Sequence, residues 1–249
     1  ICALLRAKAI SISSCFRGGI MRRVHWVDEL RGIAILLMVI FHFCYDLRYF
    51  GYVDWNVPNG PHWWPFRYLI LTLFIFTMGV SLSLAHGEGI RWQKFAIRLG
   101  QLLLAAGAIT LMSVYLFPDA WIYFGILHFL AMASILGLIL VPAPLAALGA
   151  GLLILLLYWS DVIHSQWPFV YIDRLPANTE DYVPLFPWLA VTFLGVAAGS
   201  IASRIRISRV LSWVPGWVRF AGRHGLLIYL VHQPIMFGGF YLASELLNR

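Results

Sequence analysis

Residues 31–51, RGIAILLMVIFHFCYDLRYFG, form an apolar run with Arg31 at its start and His42 and Asp46 near its far end. In a helix, residues i and i+4 are surface neighbours, so the imidazole and the carboxylate stand side by side. A carboxylate so placed accepts a proton from the imidazole, fixes its tautomer and raises its basicity. General bases are oriented this way in many hydrolases and transferases. Arg31 lies eleven positions before His42. At about 100° per residue that is close to three full turns, so both share a face, about 16 Å apart along the axis. Met38, Tyr45, Asp46 and Tyr49 fall on the same stripe. The alternative is that His42 and Asp46 satisfy each other for helix packing alone.

Other polar residues interrupt apolar runs. His128 lies within YFGILHFLAMAS, and His232 within LLIYLVHQPI, with Tyr229 one turn earlier and Gln233 and Pro234 next to it. A titratable group inside a membrane span costs about 2.5–3.5 kcal/mol near the centre, so such residues tend to face a polar cavity. With His42 they describe a chamber built from three segments. His62, beside Trp63 and Trp64, reads as interfacial and solvated. Glu180 and Asp181 directly precede another apolar run, where acids cap a helix or recognise an amine or sugar hydroxyls. Cys2, Cys15 and Cys44 show no paired spacing, so neither a disulfide framework nor a zinc site is indicated and no metal is expected.

These groups need apolar elements to hold them. Of 249 residues, 61% are hydrophobic and only 12% charged, and the mean hydropathy is +0.81. A soluble domain carries about a quarter charged residues, so the class is an integral membrane protein. Seven segments are predicted to span: Gly32 to Gly51, Phe66 to Ala85, Phe95 to Phe117, Trp121 to Val141, Pro144 to Trp159, Pro184 to Ser203 and Leu226 to Leu246. The tight VPAP connection predicts a hairpin between the fourth and fifth. Cations sort by side. Arg17, Arg22, Arg23, Arg31, Arg91, Lys94, Arg98, Arg204, Arg206, Arg209, Arg219 and Arg223 fall on one, and Arg48, Arg67, Arg174 and Arg249 on the other. That asymmetry predicts a cytoplasmic N-terminus, and it explains the net charge of +7 without nucleic acid as a partner. The basic stretch RIRISRVLSWVPGWVRFAGRH is expected to lie flat in the interface. Residues 1–20 read as a disordered tail or an over-extended start ahead of Met21, and 21–249 as one transmembrane domain.

The stretches DELRGIAILLMVIFHFCYDLRYFG, GILHFLAMAS, DYVPLFPWLAVTFLG and GRHGLLIYLVHQPI, in that order, resemble bacterial members of the heparan-alpha-glucosaminide N-acetyltransferase catalytic-domain family. An Arg, ten residues and a His on the first helix are a signature of the wider superfamily, reproduced by Arg31 and His42. The resemblance implies a multi-pass enzyme of the bacterial inner membrane. It would move an acyl group, acetyl above all, from cytoplasmic acyl-CoA to an acceptor on the outer face, often a carbohydrate. Some members place the functional His after the first helix, where His62 is the nearest candidate.

Together these readings give Arg31, aided by Arg98 and Arg223, the CoA end. His42, oriented by Asp46, is the base or transient acyl carrier. His128, Asp181, Tyr182, Tyr229 and His232 fall to the chamber and the small-molecule or glycan acceptor. Homodimerisation is left open. One rival is a proton-coupled transporter using His42 and Asp46 as a relay. Another is a bis-histidine haem protein using two of His42, His128 and His232.

Overall fold

The computed structural model describes residues 25–172, 175–176, 179, 181–205 and 214–247. Among them the fold is all-helical, with no strand and a single isolated bridge between Phe124 and Tyr182. The helices are α1 (His25–Tyr49), α2 (Trp63–His86), α3 (Trp92–Leu116), α4 (Ile126–Leu140), α5 (Pro144–Trp159), α6 (Trp188–Ile205), α7 (Gly216–Arg223) and α8 (Gly225–Leu247). A 3-10 turn, Phe169–Tyr171, interrupts the long α5–α6 connection.

Seven of these helices coincide with the seven apolar segments, and the α4–α5 hairpin forms as expected. Among the described residues, α1, α2, α3 and α8 are the helices long and apolar enough to cross a membrane alone. The others are shorter, at 15 residues for α4, 16 for α5 and 18 for α6. Fifteen residues rise only about 22 Å, against about 30 Å of hydrocarbon. The boundaries also move for identifiable reasons. Helix α1 is already helical at His25, the first described residue and ahead of the expected Gly32, and the turns before Gly32 carry the buried carboxylates Asp28 and Glu29. Arg223 Nε lies 3.4 Å from Asp28, Arg31 3.9 Å from Asp28, and Arg219 3.9 Å from Glu29, so those charges are met inside the fold. Helix α4 starts at Ile126 rather than Trp121, because Phe124 pairs in extended form with the segment around Tyr182. Pro144 opens α5, where its missing N–H costs nothing.

The basic stretch after α6 is described only from Val214, and residues 206–213, with Arg206 and Arg209, lie outside the described residues. Its remainder forms α7, a two-faced helix. Val218, Ala221 and Gly222 are buried, while Trp217 and Phe220 are about 60% exposed. The buried face is pressed against α1, with Gly222 over the Asp28 carbonyl and Gly32 against the Val218 carbonyl. The expectation for residues 1–20, and those for Arg17, Arg22, Arg23, Arg174, Glu180 and Arg249, also fall outside the described residues.

Helices α2 and α6 share the most extensive contact, also backbone to backbone. A Cβ on Gly195 would meet the Phe76 carbonyl at 2.5 Å, and one on Gly199 the Val80 carbonyl at 2.7 Å; Gly79 faces the Thr192 carbonyl closer still. Gly195 and Gly199 are four residues apart, the small-xxx-small pattern that lets membrane helices approach through their backbones. The main core, including Ile75, Phe129, Ala133 and Val183, is built around this crossing and the helices beside it. Gly195→Val is therefore expected to destabilise the bundle by about 1–3 kcal/mol, the usual cost of overpacking. Gly238→Val, where a Cβ meets nothing within 4 Å, is its control. Thermal unfolding in detergent would measure both, and equal melting points would show that the α2–α6 contact tolerates separation.

Candidate active site

A cavity of about 840 Å³ opens between α1, α2, α3, α4 and the α7–α8 junction. Its mouth carries Arg31, Lys94, Arg98, Arg223, His86 and His224. These cations are held in two ways. Arg31 donates to Ser81 Oγ at 2.7 Å and shares the buried Asp28 carboxylate with Arg223. Lys94 and Arg98 project from α3 and make no ion pair among the described residues. His86 accepts the Arg91 amide on Nδ1 at 3.1 Å, which places its proton on Nε2. Beyond the mouth the walls turn apolar, with Phe74, Met78, Leu102, Leu127 and Leu130, down to Tyr229. The surface therefore offers fixed positive charge at one end and a greasy sleeve behind it, which suits a ligand with an anionic head and an apolar arm.

Tyr229 marks the inner limit. It lines the cavity, packs against the cluster formed by Met38, Phe41, Val57 and Ile70, and lies 5.7 Å, ring to ring, from His232. His232 in turn meets His42 at 4.9 Å, edge to face. The two histidines thus stand one side chain beyond the cavity rather than on its wall. His232 Nδ1 lies 2.7 Å from the Tyr229 carbonyl, which can only accept, so Nδ1 carries the proton and Nε2 the lone pair. That Nε2 is buried and has no partner among the described residues.

The expected bond between His42 and Asp46 is not formed. Asp46, fully buried, accepts from Gln233 Nε2 at 2.8 Å, and its second oxygen is unpartnered among the described residues. The i+4 spacing does set both side chains on one side of α1. But α8 lies against that side, and its residues supply the nearer partners for both.

The remaining candidates belong to a network at the other end of the bundle. His128 Nδ1 accepts from the Gly125 amide at 3.3 Å, and Nε2 donates to Thr110 Oγ1 at 3.1 Å. Thr110 passes the chain to the Ile122 carbonyl at 2.8 Å. Asp181 accepts from the Ile126 amide at 3.2 Å and lies 3.7 Å from Arg67. It caps α4, not the α6 helix it precedes in sequence. Tyr182 donates to the Ser165 carbonyl at 2.9 Å, and its own carbonyl accepts from Arg67. Burial, with Tyr123 nearby, pushes the Tyr182 phenol up to about 12, so it stays a donor at neutral pH. His128, Asp181 and Tyr229 do meet, but only around a void of about 10 Å³. His62 is exposed at the start of α2. Among the described residues no group of three His, Cys, Asp or Glu side chains is placed to hold a metal.

The sequence model described as heparan-alpha-glucosaminide N-acetyltransferase, catalytic, matches residues 23–234. The chain belongs to that family. Membership makes it a membrane acyltransferase, and the family's donor is acetyl-CoA. No curated protein and no solved structure gives a match. The matched span takes in the Arg31 mouth, His42, Asp46, Tyr229, His232 and Gln233 alike. Two contributors stand out only in three dimensions, Asp28 and Ser81. A serine in an apolar run and a carboxylate near a helix start are weak signals by themselves, whereas Gln233 beside His232 in VHQP was visible.

Because Asp181 is committed to the α4 cap and to Arg67, Asp181→Ala should lower stability by about 1 kcal/mol. Asp181→Asn, which keeps the cap oxygen, should lose less. Melting curves of the two variants decide this, and an unchanged Asp181→Ala protein would free the residue for ligand contact.

Proposed function

We propose that the protein transfers an acetyl group from cytoplasmic acetyl-CoA to an amine or hydroxyl acceptor, with a carbohydrate acceptor the family-based expectation, in the cytoplasmic membrane of a bacterium. The observation that carries this reading is the cation-rimmed cavity of about 840 Å³ ending one side chain short of two histidines. Arg31, Arg98 and Arg223, with Lys94, meet the phosphates of CoA, and the apolar sleeve takes its pantetheine arm. The thioester is delivered towards Tyr229, and the acceptor meets it from the side of His42.

In the transfer, His42 takes a proton from the acceptor nucleophile, whose lone pair bonds to the thioester carbonyl carbon. The carbon–sulfur bond then breaks, and the CoA thiolate leaves with the proton that the imidazolium returns. Asp46 acts at one remove: through Gln233 it holds α8, and so His232, in register with His42. With all seven long helices crossing, the cations of the cavity mouth face the cytoplasm and the α5–α6 connection faces outward.

Arg31→Ala should weaken acetyl-CoA binding about 10- to 100-fold, the cost of losing a charged hydrogen bond, and Arg31→Lys should restore part of it. Calorimetric titration in detergent measures this, and unchanged affinity would reduce Arg31 to an orientation charge. His42→Ala should cut transfer about 10²- to 10⁴-fold while leaving acetyl-CoA binding intact. His62→Ala should remain near normal. A dead His62→Ala beside an active His42→Ala would move the base to the outer loop.

A further inference from the structure

Tyr229 lines both the large cavity and the small void beside His128 and Asp181. Ile126 and Leu127 are also common to the two, so the void adjoins the cavity. Helix α3 shows at which end. Its cavity-lining residues run from Lys94 to Ala108, about 21 Å of rise, and its Ala106 and Ile109 wall the void. Tyr229 therefore lies at the Ala108 end, about 12 Å or more along the helix axis from the level of Arg98. The cavity wall around it is apolar, with Phe74, Ala105, Ala108 and Ile126. Ser134, further along α4, spends its hydroxyl proton on the Leu130 carbonyl at 2.6 Å. The Tyr229 phenol makes no hydrogen bond among the described residues, and, unlike His232 Nε2, its oxygen is not sealed within protein. The ring that carries it is held by His232 on one side and by the Met38 and Phe41 cluster.

We propose that Tyr229 is a catalytic residue whose phenol O–H donates a hydrogen bond to the thioester carbonyl oxygen of the acyl donor. The inference rests on the acyl-transfer reading, in which the cation-rimmed mouth takes the phosphates and the thioester reaches the opposite end. There the carbonyl oxygen needs a donor, and a neutral phenol supplies one. When the nucleophile bonds to the carbonyl carbon, the π pair moves onto oxygen and a negative charge develops. The Tyr229 proton stays on its own oxygen while the hydrogen bond to the oxyanion strengthens. As the carbon–sulfur bond breaks, the pair on oxygen re-forms the carbonyl and the bonding pair leaves on sulfur. A donor fixed in an apolar wall is worth more than the same donor in water, and it need not reorient during the reaction. Because the O–H is not spent within the protein, no internal bond has to break before it can act.

The test uses the purified full chain in detergent with two probes, acetyl-CoA and S-ethyl-CoA, a thioether that lacks the carbonyl. Infrared difference spectra of acetyl-CoA labelled with carbon-13 at the carbonyl should show its stretch at lower wavenumber when bound than when free. Calorimetry should give acetyl-CoA an affinity about 2- to 10-fold above that of S-ethyl-CoA, the net worth of one neutral hydrogen bond. Tyr229→Phe keeps the ring and its contacts, so it should bind S-ethyl-CoA as before while losing both the infrared shift and the affinity difference. In transfer, the same substitution should cost about 10²–10³ in kcat, with acetyl-CoA affinity changed only by that small factor. A bound carbonyl that is unshifted in the unaltered protein would overturn the proposal, whether or not the variant folds. So would a shift that survives in Tyr229→Phe. The two readings fail separately. If acetyl-CoA binds with an unshifted carbonyl, the transferase stands and the role of Tyr229 falls. If acetyl-CoA does not bind at all, both fall.

Discussion

Two carboxylates buried in the first turns of α1 govern one end of this molecule. Burying carboxylates such as these is costly unless cations stand close by. Arg219 and Arg223 of α7 supply them, together with Arg31 of α1 itself. Since α7 brings two of these arginines on one short helix, the ion pairs and the Gly32 and Gly222 contacts clamp it against α1 at a fixed height. That clamp presents Arg31 and Arg223 to the cavity mouth together, and it fixes where α8 starts. Every residue of α8 that faces α1, from Tyr229 to Gln233, inherits its register from this point.

The opposite end is organised by hydrogen bonds from loops to helix ends. Asp181 and His128 both serve the first turn of α4, one on the Ile126 amide and the other on the Gly125 amide. Arg67 ties α2 to the same loop through Asp181 and the Tyr182 carbonyl. An α4 of only 15 residues is thereby completed by an extended segment whose backbone groups have partners, such as the Val183 amide on the Phe124 carbonyl. Non-helical backbone is tolerated at such depth where protein covers it.

The helices were legible in the sequence because apolar runs of this length admit few alternatives, and Pro144 announced the start of α5. The start of α1 was not. Asp28, Glu29 and Arg31 look like a charged loop until the arginines that answer them, nearly two hundred residues later, are brought alongside. The same limit applies to the site. The spacing of His42 and Asp46 correctly sets both on one side of α1, but spacing within a helix says nothing about what the neighbouring helix offers. Gln233 took the carboxylate and His232 met the imidazole. Asp181 shows the converse, since chain proximity to α6 suggested its partner while a distant amide on α4 became it. Tyr229, Arg31, Arg98 and Arg223, chosen for charge and position, do gather on one cavity.

The position of Tyr229, on the cavity wall and against His232, has an electrical consequence. Water and ions that enter a wide-mouthed cavity carry it to nearly the potential of the compartment it opens to. In a polarised bilayer the voltage then falls across the plug beyond Tyr229 rather than across the full thickness of hydrocarbon. A whole elementary charge crossing 100 mV gains or loses about 2.3 kcal/mol. His42, Asp46 and His232 lie within that plug, so moving a proton among them carries a larger share of this work than the same step in an evenly polarised membrane.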